Sequence, residues 1–235
     1  MKRESVNRIR YILEELLPPF VRDSRFMKIL FRLHWGTFVD DLEKFRTNIT
    51  SISAEHYRHI YERMPRIQDE TDNSFVCMQA IAELVIPGAV CDVGCGTGYL
   101  IGFLKERESL RRSIFTGVDF LVDPSVLERR PDVSFVSAPI EKLPFPDRSF
   151  ETVICTHVLE HILDIRAAMS ELRRVTARRL IVVVPLEREH LFTFNPHIHF
   201  FPYPHSFLRH IIPVPASHEL KVLGRDLLYT ETMGA

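Results

Sequence analysis

Cysteine and glycine are both scarce in this chain, with four and nine residues among 235. No two cysteines form a CxxC pair, and three of them lie in or beside apolar runs, which favours buried thiols in a reducing compartment. They are Cys77, Cys91, Cys95 and Cys155. No apolar run approaches the ~18 residues of a membrane span, and the N-terminus lacks the apolar segment of a signal peptide. The sequence therefore predicts no membrane-spanning segment. It predicts a cytoplasmic protein.

Net charge is also nearly absent, because 30 basic residues face 31 acidic ones. This balance gives no support for a nucleic-acid partner. The charge is uneven, however: residues 1–35 contain eight Lys or Arg and four Asp or Glu, a local net charge of +4. Hydrophobic residues make up 46% and charged residues 26% of the chain, as in ordinary globular proteins. The length suits one α/β domain with an attached segment.

The first 72 residues are predicted to form that attached segment. In RIRYILEELL the apolar residues recur at helical spacing, and Pro18 with Pro19 ends the helix. A second amphipathic stretch, VRDSRFMKILFRLHW, carries basic residues on its other face. We expect a helical extension that serves as a lid or as a substrate or homodimer contact. A helix lying on a membrane surface is the less favoured alternative.

The pattern changes in residues 73–235, which are predicted to form one α/β domain. Short runs rich in β-branched residues occur at 89–94, 113–119, 133–137, 151–156 and 179–185. Segments of helical or loop character follow each run, which indicates a mostly parallel sheet with helices on both faces. The tail at 216–232 supplies two further strands, so we expect seven. Ligands of such sheets bind outside the carboxyl ends of the strands.

Three of the nine glycines fall within VCDVGCGTGYL, residues 90–100, directly after the first predicted strand. The spacing is D-x-G-x-G-x-G, which matches neither the dinucleotide pattern G-x-G-x-x-G nor the P-loop pattern. Such a turn lets backbone amides approach a ligand closely. The ligand would lack a pyrophosphate and would face an acidic side chain at the strand end.

Five motifs in this order resemble the class I S-adenosylmethionine (SAM) dependent methyltransferases, and within them the type 11 group. The motifs are CDVGCGTGYL, GVD at 117–119, IEKLPFPDRSFETVIC at 140–155, HVLEHILD at 157–164 and LRRV at 172–175. The resemblance implies a Rossmann-like fold and SAM as the cofactor. It also implies that Asp119 binds the two ribose hydroxyls, because a carboxylate suits a vicinal diol. The implied cofactor residues are Asp92, Gly94, Cys95, Gly96, Gly98, Asp119, Phe120, Ile140, Glu141 and Thr156.

A group of titratable residues, His157, Glu160 and His161, follows the fourth predicted strand. In a helix these residues would share one face and could bind a divalent cation such as Mg²⁺. A Leu-Glu-His triplet is also common here in type 11 enzymes without a metal, so a packing role is the alternative. His157 adds support for a metal, because ubiquinone-pathway O-methyltransferases resemble this stretch and place metal ligands in it.

Further histidines follow the fifth strand, in NPHIHFF at 195–201. His197 and His199 would point the same way in an extended segment. Ordering of the loop is one interpretation; completion of the metal site or general-base catalysis is the other, with His199 preferred. The candidate catalytic residues are therefore His157, His161 and His199.

The sequence thus favours SAM-dependent O-methylation of a small-molecule hydroxyl, saccharide or catechol- or polyketide-like, assisted by a divalent metal. The first alternative is C- or N-methylation of a lipid-like or quinone acceptor without a metal. The second is a SAM-binding protein without catalysis. Acceptor specificity is expected to come from residues 1–72 and from the insertion at 186–212.

Overall fold

A computed structural model describes residues 11–36, 38–48, 51, 71–122, 124–189, 191 and 197–234. The chain divides into two compact units. The first consists of Met1–Asp69 and Glu187–Phe200, and the second of Glu70–Leu186 and Phe201–Ala235. The predicted N-terminal extension therefore shares a unit with part of the segment that follows the fifth strand. Among the described residues, no helix is long and apolar enough to cross a membrane.

The described helices of the first unit are a π-helical turn, Ile12–Leu16, followed by α1 (Pro19–Arg22), α2 (Arg25–Trp35) and α3 (Phe38–Thr47). The amphipathic stretch VRDSRFMKILFRLHW is helical, as predicted, except for a break at Asp23 and Ser24, which separates α1 from α2. Ser24 causes this break: its backbone is extended, and its hydroxyl accepts a hydrogen bond from the Met27 amide as the N-cap of α2. The part of the first predicted helix before Tyr11 lies outside the described residues.

A buried arginine joins the N-terminal helices to the segment after the fifth strand within the first unit. The Arg22 guanidinium contacts the Asp23 carboxylate and donates to the Glu189 carbonyl at 3.0 Å. Asp23 in turn accepts a hydrogen bond from the Leu191 amide at 3.0 Å. A charged side chain as buried as Arg22 must be paired, and here the pairing fixes two segments that are far apart in sequence.

The second unit is a seven-stranded sheet in the order β3-β2-β1-β4-β5-β7-β6. Only β7 runs antiparallel to its neighbours β5 and β6, so the predicted mostly parallel sheet is confirmed. The strands are β1 Ala89–Val93, β2 Ile114–Asp119, β3 Ser134–Ser137, β4 Phe150–Thr156, β5 Thr176–Pro185, β6 His218–Leu223 and β7 Asp226–Thr232. The helices are α4 Phe75–Leu84, α5 Tyr99–Lys105, α6 Pro124–Arg129, α7 Ile165–Val175 and α8 Pro204–His210.

Separate apolar clusters cover the two faces of the sheet. On one face α7 and α8 bury residues such as Met169, Leu172 and Phe207. On the other face α4 and α5 bury Ile81 and Leu104. Successive residues of a strand point to opposite faces, which is why both faces of the central strands are apolar. The predicted α/β architecture with helices on both faces is therefore confirmed.

A buried ion pair fastens α7 to β7. The Arg173 Nε donates to both carboxylate oxygens of Glu231, at 3.0 and 2.9 Å, and the Tyr229 hydroxyl donates to the same carboxylate at 2.6 Å. Glu231 is almost fully buried. Burial raises the pKa of Tyr229, and the neighbouring Glu231 carboxylate raises it further. The phenol therefore stays protonated and donates to the carboxylate.

We expect Glu231→Ala to lower the free energy of unfolding by about 3 kcal/mol or more, because it leaves the partly buried Arg173 charge unpaired. Urea unfolding of the full chain measures this loss. The matched control is Glu219→Ala on the neighbouring β6, whose exposed carboxylate lies 3.1 Å from Lys221. That exposed pair should contribute less than about 1 kcal/mol. Equal losses in both variants would contradict the structural role of the buried pair.

Candidate cofactor and acceptor site

The turn between β1 and α5 is folded tightly against the neighbouring strand. The amides of Gly94 and Cys95 both donate to the Val118 carbonyl, at 2.7 and 3.0 Å. Gly94 has φ of +80°, and a Cβ at this position would lie 2.0 Å from Cγ2 of Val158. Both the backbone conformation and the close packing thus require glycine. The turn is held at the carboxyl end of β1.

The next glycine links this turn to the acidic residue at the end of β2. The Gly96 amide donates to Oδ2 of Asp119 at 2.8 Å, and Oδ1 accepts from the Leu121 amide at 3.1 Å. Gly96 has φ of +51°, and a Cβ there would meet open space. Each oxygen of a carboxylate accepts more than one hydrogen bond, so Asp119 keeps capacity for a diol. The turn therefore offers a ligand both a carboxylate and an unobstructed backbone.

Asp92, near the end of β1, carries a carboxyl group that is almost fully buried. Its Oδ1 has no hydrogen-bond partner among the residues that the structure describes. Burial, and secondarily the charge of Asp119, raises the pKa of Asp92 to about 7. A buried anion of this kind fits a ligand that brings a positive charge to the turn.

The other predicted cofactor residues of the second unit lie in varied surroundings. Phe120 is half exposed directly after β2, and its carbonyl accepts from the Ser137 hydroxyl. Ile140 belongs to the apolar core, whereas Glu141 is exposed. The Thr156 hydroxyl, at the end of β4, is buried and accepts a hydrogen bond from Asn73. The cofactor role of these residues stays a prediction.

His157, Glu160 and His161 would share one face only in a helix, and that helix does not form. Strand β4 ends at Thr156, and only Leu159–His161 forms a short 3₁₀ turn. His157 itself has φ of +56°, and its amide donates to the Val183 carbonyl at 2.9 Å. A left-handed conformation is uncommon for a residue other than glycine and is concentrated at functional sites.

The imidazole of His157 lies between two buried carboxylates. Its Nδ1 is 3.6 Å from Oε1 of Glu160, and its Nε2 is 3.7 Å from Oδ1 of Asp226. Burial alone would lower the pKa of His157, but the carboxylates of Glu160, Asp226 and Asp72 outweigh burial and raise it above its ordinary value. The Nε2 atom is buried and has no hydrogen-bond partner in the part of the chain that the structure describes. The neighbouring carboxylates therefore favour the protonated imidazole.

Three polar residues near His157 and Thr156 were not predicted from the sequence. Asp226 reaches the carboxyl edge of β5 because β7 is antiparallel, and it pairs with Pro185 in register. Ser74, the N-cap of α4, donates to Oδ2 of Asp226 at 2.9 Å. Asn73 donates to Thr156, while its own Oδ1 is buried without a partner. The one local signal was a charged residue that begins an otherwise apolar strand at 226–229.

The predicted metal ligands come together only in part. Glu160 and His161 offer an oxygen and a nitrogen within 4.8 Å of each other. The ring nitrogens of His157 instead face the carboxylates of Glu160 and Asp226. The metal assignment and the catalytic role of His161 stay predictions.

His197 and His199, the two predicted site residues after β5, belong to the first unit. His197 is buried, and its Nδ1 contacts the buried carboxylate of Glu187. The contact joins two positions of the same segment, and the role of His197 stays a prediction. His199 is partly exposed. Its predicted role as a base or ligand stays a prediction.

A seven-stranded sheet with an antiparallel β7, a glycine turn after β1 and a carboxylate at the end of β2 is the α/β fold expected from the resemblance to class I SAM-dependent methyltransferases. Residues 91–184 match the type 11 family model described as "Methyltransferase domain". Over these 94 of its 235 residues the chain is similar to the methyltransferases of this family. The crystal structure of the PH0226 protein from Pyrococcus horikoshii shares the fold, with a TM-score of 0.52, 18% identity and coverage of 81% of this chain and 98% of that one.

Two curated relatives are similar to part of this chain. A malonyl-[acyl-carrier protein] O-methyltransferase of Halorhodospira halophila is 37% identical over 40% of this chain and 32% of its own length. A demethylmenaquinone methyltransferase of Roseiflexus sp. is 36% identical over 37% of this chain and 38% of its own length. The matches thus span well under half of either relative.

We expect the buried carboxyl of Asp92 to destabilise the ligand-free protein above neutral pH. Its folded-state pKa of about 7 exceeds the ordinary value of 3.8, so the folded state binds this proton more tightly. Stability should therefore fall as the pH rises from about 4 to about 7. Asp92→Asn removes this dependence, and its gain relative to the parent should be about 2–3 kcal/mol larger at pH 8 than at pH 5.

Urea unfolding at the two pH values, without ligand, measures that difference. The control is Glu106→Gln, at the exposed C-cap of α5. Its effect should be the same at pH 5 and pH 8. A pH-independent difference between Asp92→Asn and the parent would show that Asp92 is not a destabilising buried carboxyl.

Proposed function

We propose that the chain is a SAM-dependent methyltransferase that acts on a hydroxyl group of a small-molecule acceptor. The observation that carries this proposal is the position of His157, which follows β4 at the same sheet edge as the glycine turn. SAM, when bound, supplies an electrophilic methyl group on a sulfonium. The acceptor classes that we favour are saccharides and catechol- or polyketide-like molecules.

The residues of the turn have the chemistry that SAM requires. The absence of a side chain at Gly96 leaves open space for a ligand against the backbone. Among the described residues no group donates a hydrogen bond to Oδ1 of Asp92, and we propose that this oxygen meets the positively charged amino group of the ligand. Asp119 offers acceptor oxygens to the ribose hydroxyls. Cofactor binding would thus bring a positive charge to the buried carboxyl of Asp92.

His157 is the residue that we propose as the general base. The neutral imidazole takes up the acceptor's hydroxyl proton, while Glu160 and Asp226 stabilise the imidazolium that results. The left-handed backbone and the hydrogen bond to Val183 fix the ring at the end of β4. Most of the remaining rate enhancement would come from alignment of the acceptor oxygen with the methyl group.

A second candidate is methylation of a quinone-like ring carbon. The activity of the demethylmenaquinone methyltransferase relative favours it. A relative in Trichormus variabilis, described as a 2-phytyl-1,4-naphtoquinone methyltransferase, is 33% identical over 38% of this chain. In that reaction His157 would deprotonate a ring hydroxyl and so raise the nucleophilicity of the ring. Metal assistance through Glu160 and His161 is a separate proposal within the first candidate.

The four free cysteines give an indication of where in the cell the protein is located. All four are buried thiols, and burial raises the pKa of Cys91, Cys95 and Cys155 above the ordinary value. Buried protonated thiols are typical of reducing compartments. We therefore propose a cytoplasmic location.

We expect His157→Gln to lower the turnover number at least 100-fold while the affinity for SAM changes less than threefold, because the ring acts on the acceptor. Release of S-adenosylhomocysteine measures turnover, with catechols, sugars, quinols and carboxylic acids as acceptors. Calorimetry measures SAM binding. Turnover of the parent should rise with pH through a pKa above 6.5, since His157 acts as a base in its neutral form, and this step should vanish in the variant.

The exposed ring of His205 provides a matched control, and His205→Gln should leave turnover unchanged. Failure of the parent to bind SAM at millimolar concentration would overturn the whole proposal. SAM binding with turnover that tolerates His157→Gln would overturn only the assignment of the base. Methylation of a quinol carbon would favour the second candidate, and loss of turnover in EDTA would support a metal.

A further inference from the structure

Helix α2 has two apolar faces. One face packs in a small core of the first unit, and the other face is exposed. Met27 and Phe31 lie in the small core formed with Leu13, Leu17 and Val39. The other face consists of four large apolar residues at i, i+3, i+4 and i+7 spacing, which we call the α2 stripe. Its members are Phe26, Ile29, Leu30 and Leu33, with 66, 58, 43 and 80% of their surface exposed.

An exposed stripe of this kind is not the ordinary scatter of surface apolar residues. Soluble proteins expose single large apolar side chains, whereas a contiguous row marks an interaction surface. The preceding elements of the same unit add Leu16 and Phe20, which are also largely exposed. Exposed apolar residues therefore occur in each of the three consecutive elements, the π-helical turn, α1 and α2.

The charges of α2 border the stripe on one side. The helix contains Arg25, Lys28 and Arg32 and no acidic residue. At about 100° per residue, Arg25 and Arg32 lie roughly 40° and 60° around the helix from Ile29. Lys28 lies on the far side, where it is paired with Asp40 and Glu43 of α3.

Arg32 also lies 3.4 Å from Asp40, at an exposed position. Exposed pairs at this distance contribute little and exchange readily with other anions. The border of the stripe is therefore basic. Its long side chains can extend from the apolar surface toward negatively charged groups.

We propose that the α2 stripe binds the surface of a membrane that contains anionic lipids. A bilayer interface offers acyl chains to the four apolar residues and headgroup phosphates to Arg25 and Arg32 at the same time. The helix has 11 residues and measures about 16 Å, so it lies in the interface and does not span it.

A second copy of the chain fits this surface less well. A symmetric contact places the same stripe against itself, and with it the same basic border. Helix α2 has no acidic residue that could receive the partner's guanidinium groups. Anionic headgroups satisfy both parts of the surface, which is why the lipid is the occupant that we infer. The inference does not depend on the methyltransferase proposal.

Sedimentation of the full chain with phosphatidylcholine vesicles, with and without 30% phosphatidylglycerol, tests the proposal. We expect binding to the anionic vesicles and at least tenfold weaker binding to the neutral ones. Phe26→Glu with Leu33→Glu should lower binding to anionic vesicles at least tenfold. Val222→Glu, at a half-exposed apolar position on β6, is the matched control and should bind like the parent.

The charge of the border is tested separately. Arg25→Glu should weaken binding to anionic vesicles several-fold, whereas Arg166→Glu, at an exposed position on α7, should have less effect. Unchanged thermal unfolding and unchanged SAM affinity would show that each variant is folded, since all the altered side chains are exposed.

The proposal is overturned if the parent binds neither kind of vesicle, or if the doubly substituted stripe binds like the parent. Equal binding to neutral and anionic vesicles would overturn the role of the basic border. Light scattering supplies the remaining test: a parent dimer that Leu33→Glu separates into monomers would assign the stripe to a second copy and overturn the lipid proposal.

Discussion

Parallel pairing of β1 with β2 on one side and β4 on the other is the constraint on which the rest of the site depends. The ends of the three strands are in register, with Val93 opposite both Val118 and Cys155. The side chains that follow these strands therefore meet at one edge, although they are far apart in sequence. The two hydrogen bonds from the glycine turn to Val118 then fix the turn over that edge.

The same edge concentrates groups that are costly to bury. Burial raises the pKa of Asp92, and His157 combines a left-handed backbone with a position between two carboxylates. In the pair of Arg173 and Glu231, by contrast, the two charges satisfy each other and hold α7 against β7. Backbone strain and unsatisfied burial of the kind found at Asp92 and His157 are concentrated at functional sites.

The first unit combines segments that are far apart in sequence. Its buried contacts join the N-terminal helices to the segment after β5 through Arg22 and Asp23. Acceptor specificity was expected from residues 1–72 and 186–212, and this unit contains most of the first region but only 187–200 of the second. The apolar stripe of α2 adds an exposed surface to this unit.

The amino-acid sequence by itself determined the sheet, the glycine turn and Asp119, because short β-branched runs and a glycine pattern are local signals. It also indicated His157, but through a helix that does not form. Only the tertiary structure decided the conformation of His157, its contact with Asp226 and the exposure of the α2 stripe. The physical reason is that these features depend on an antiparallel strand and on helix packing, which bring together residues that no local pattern connects.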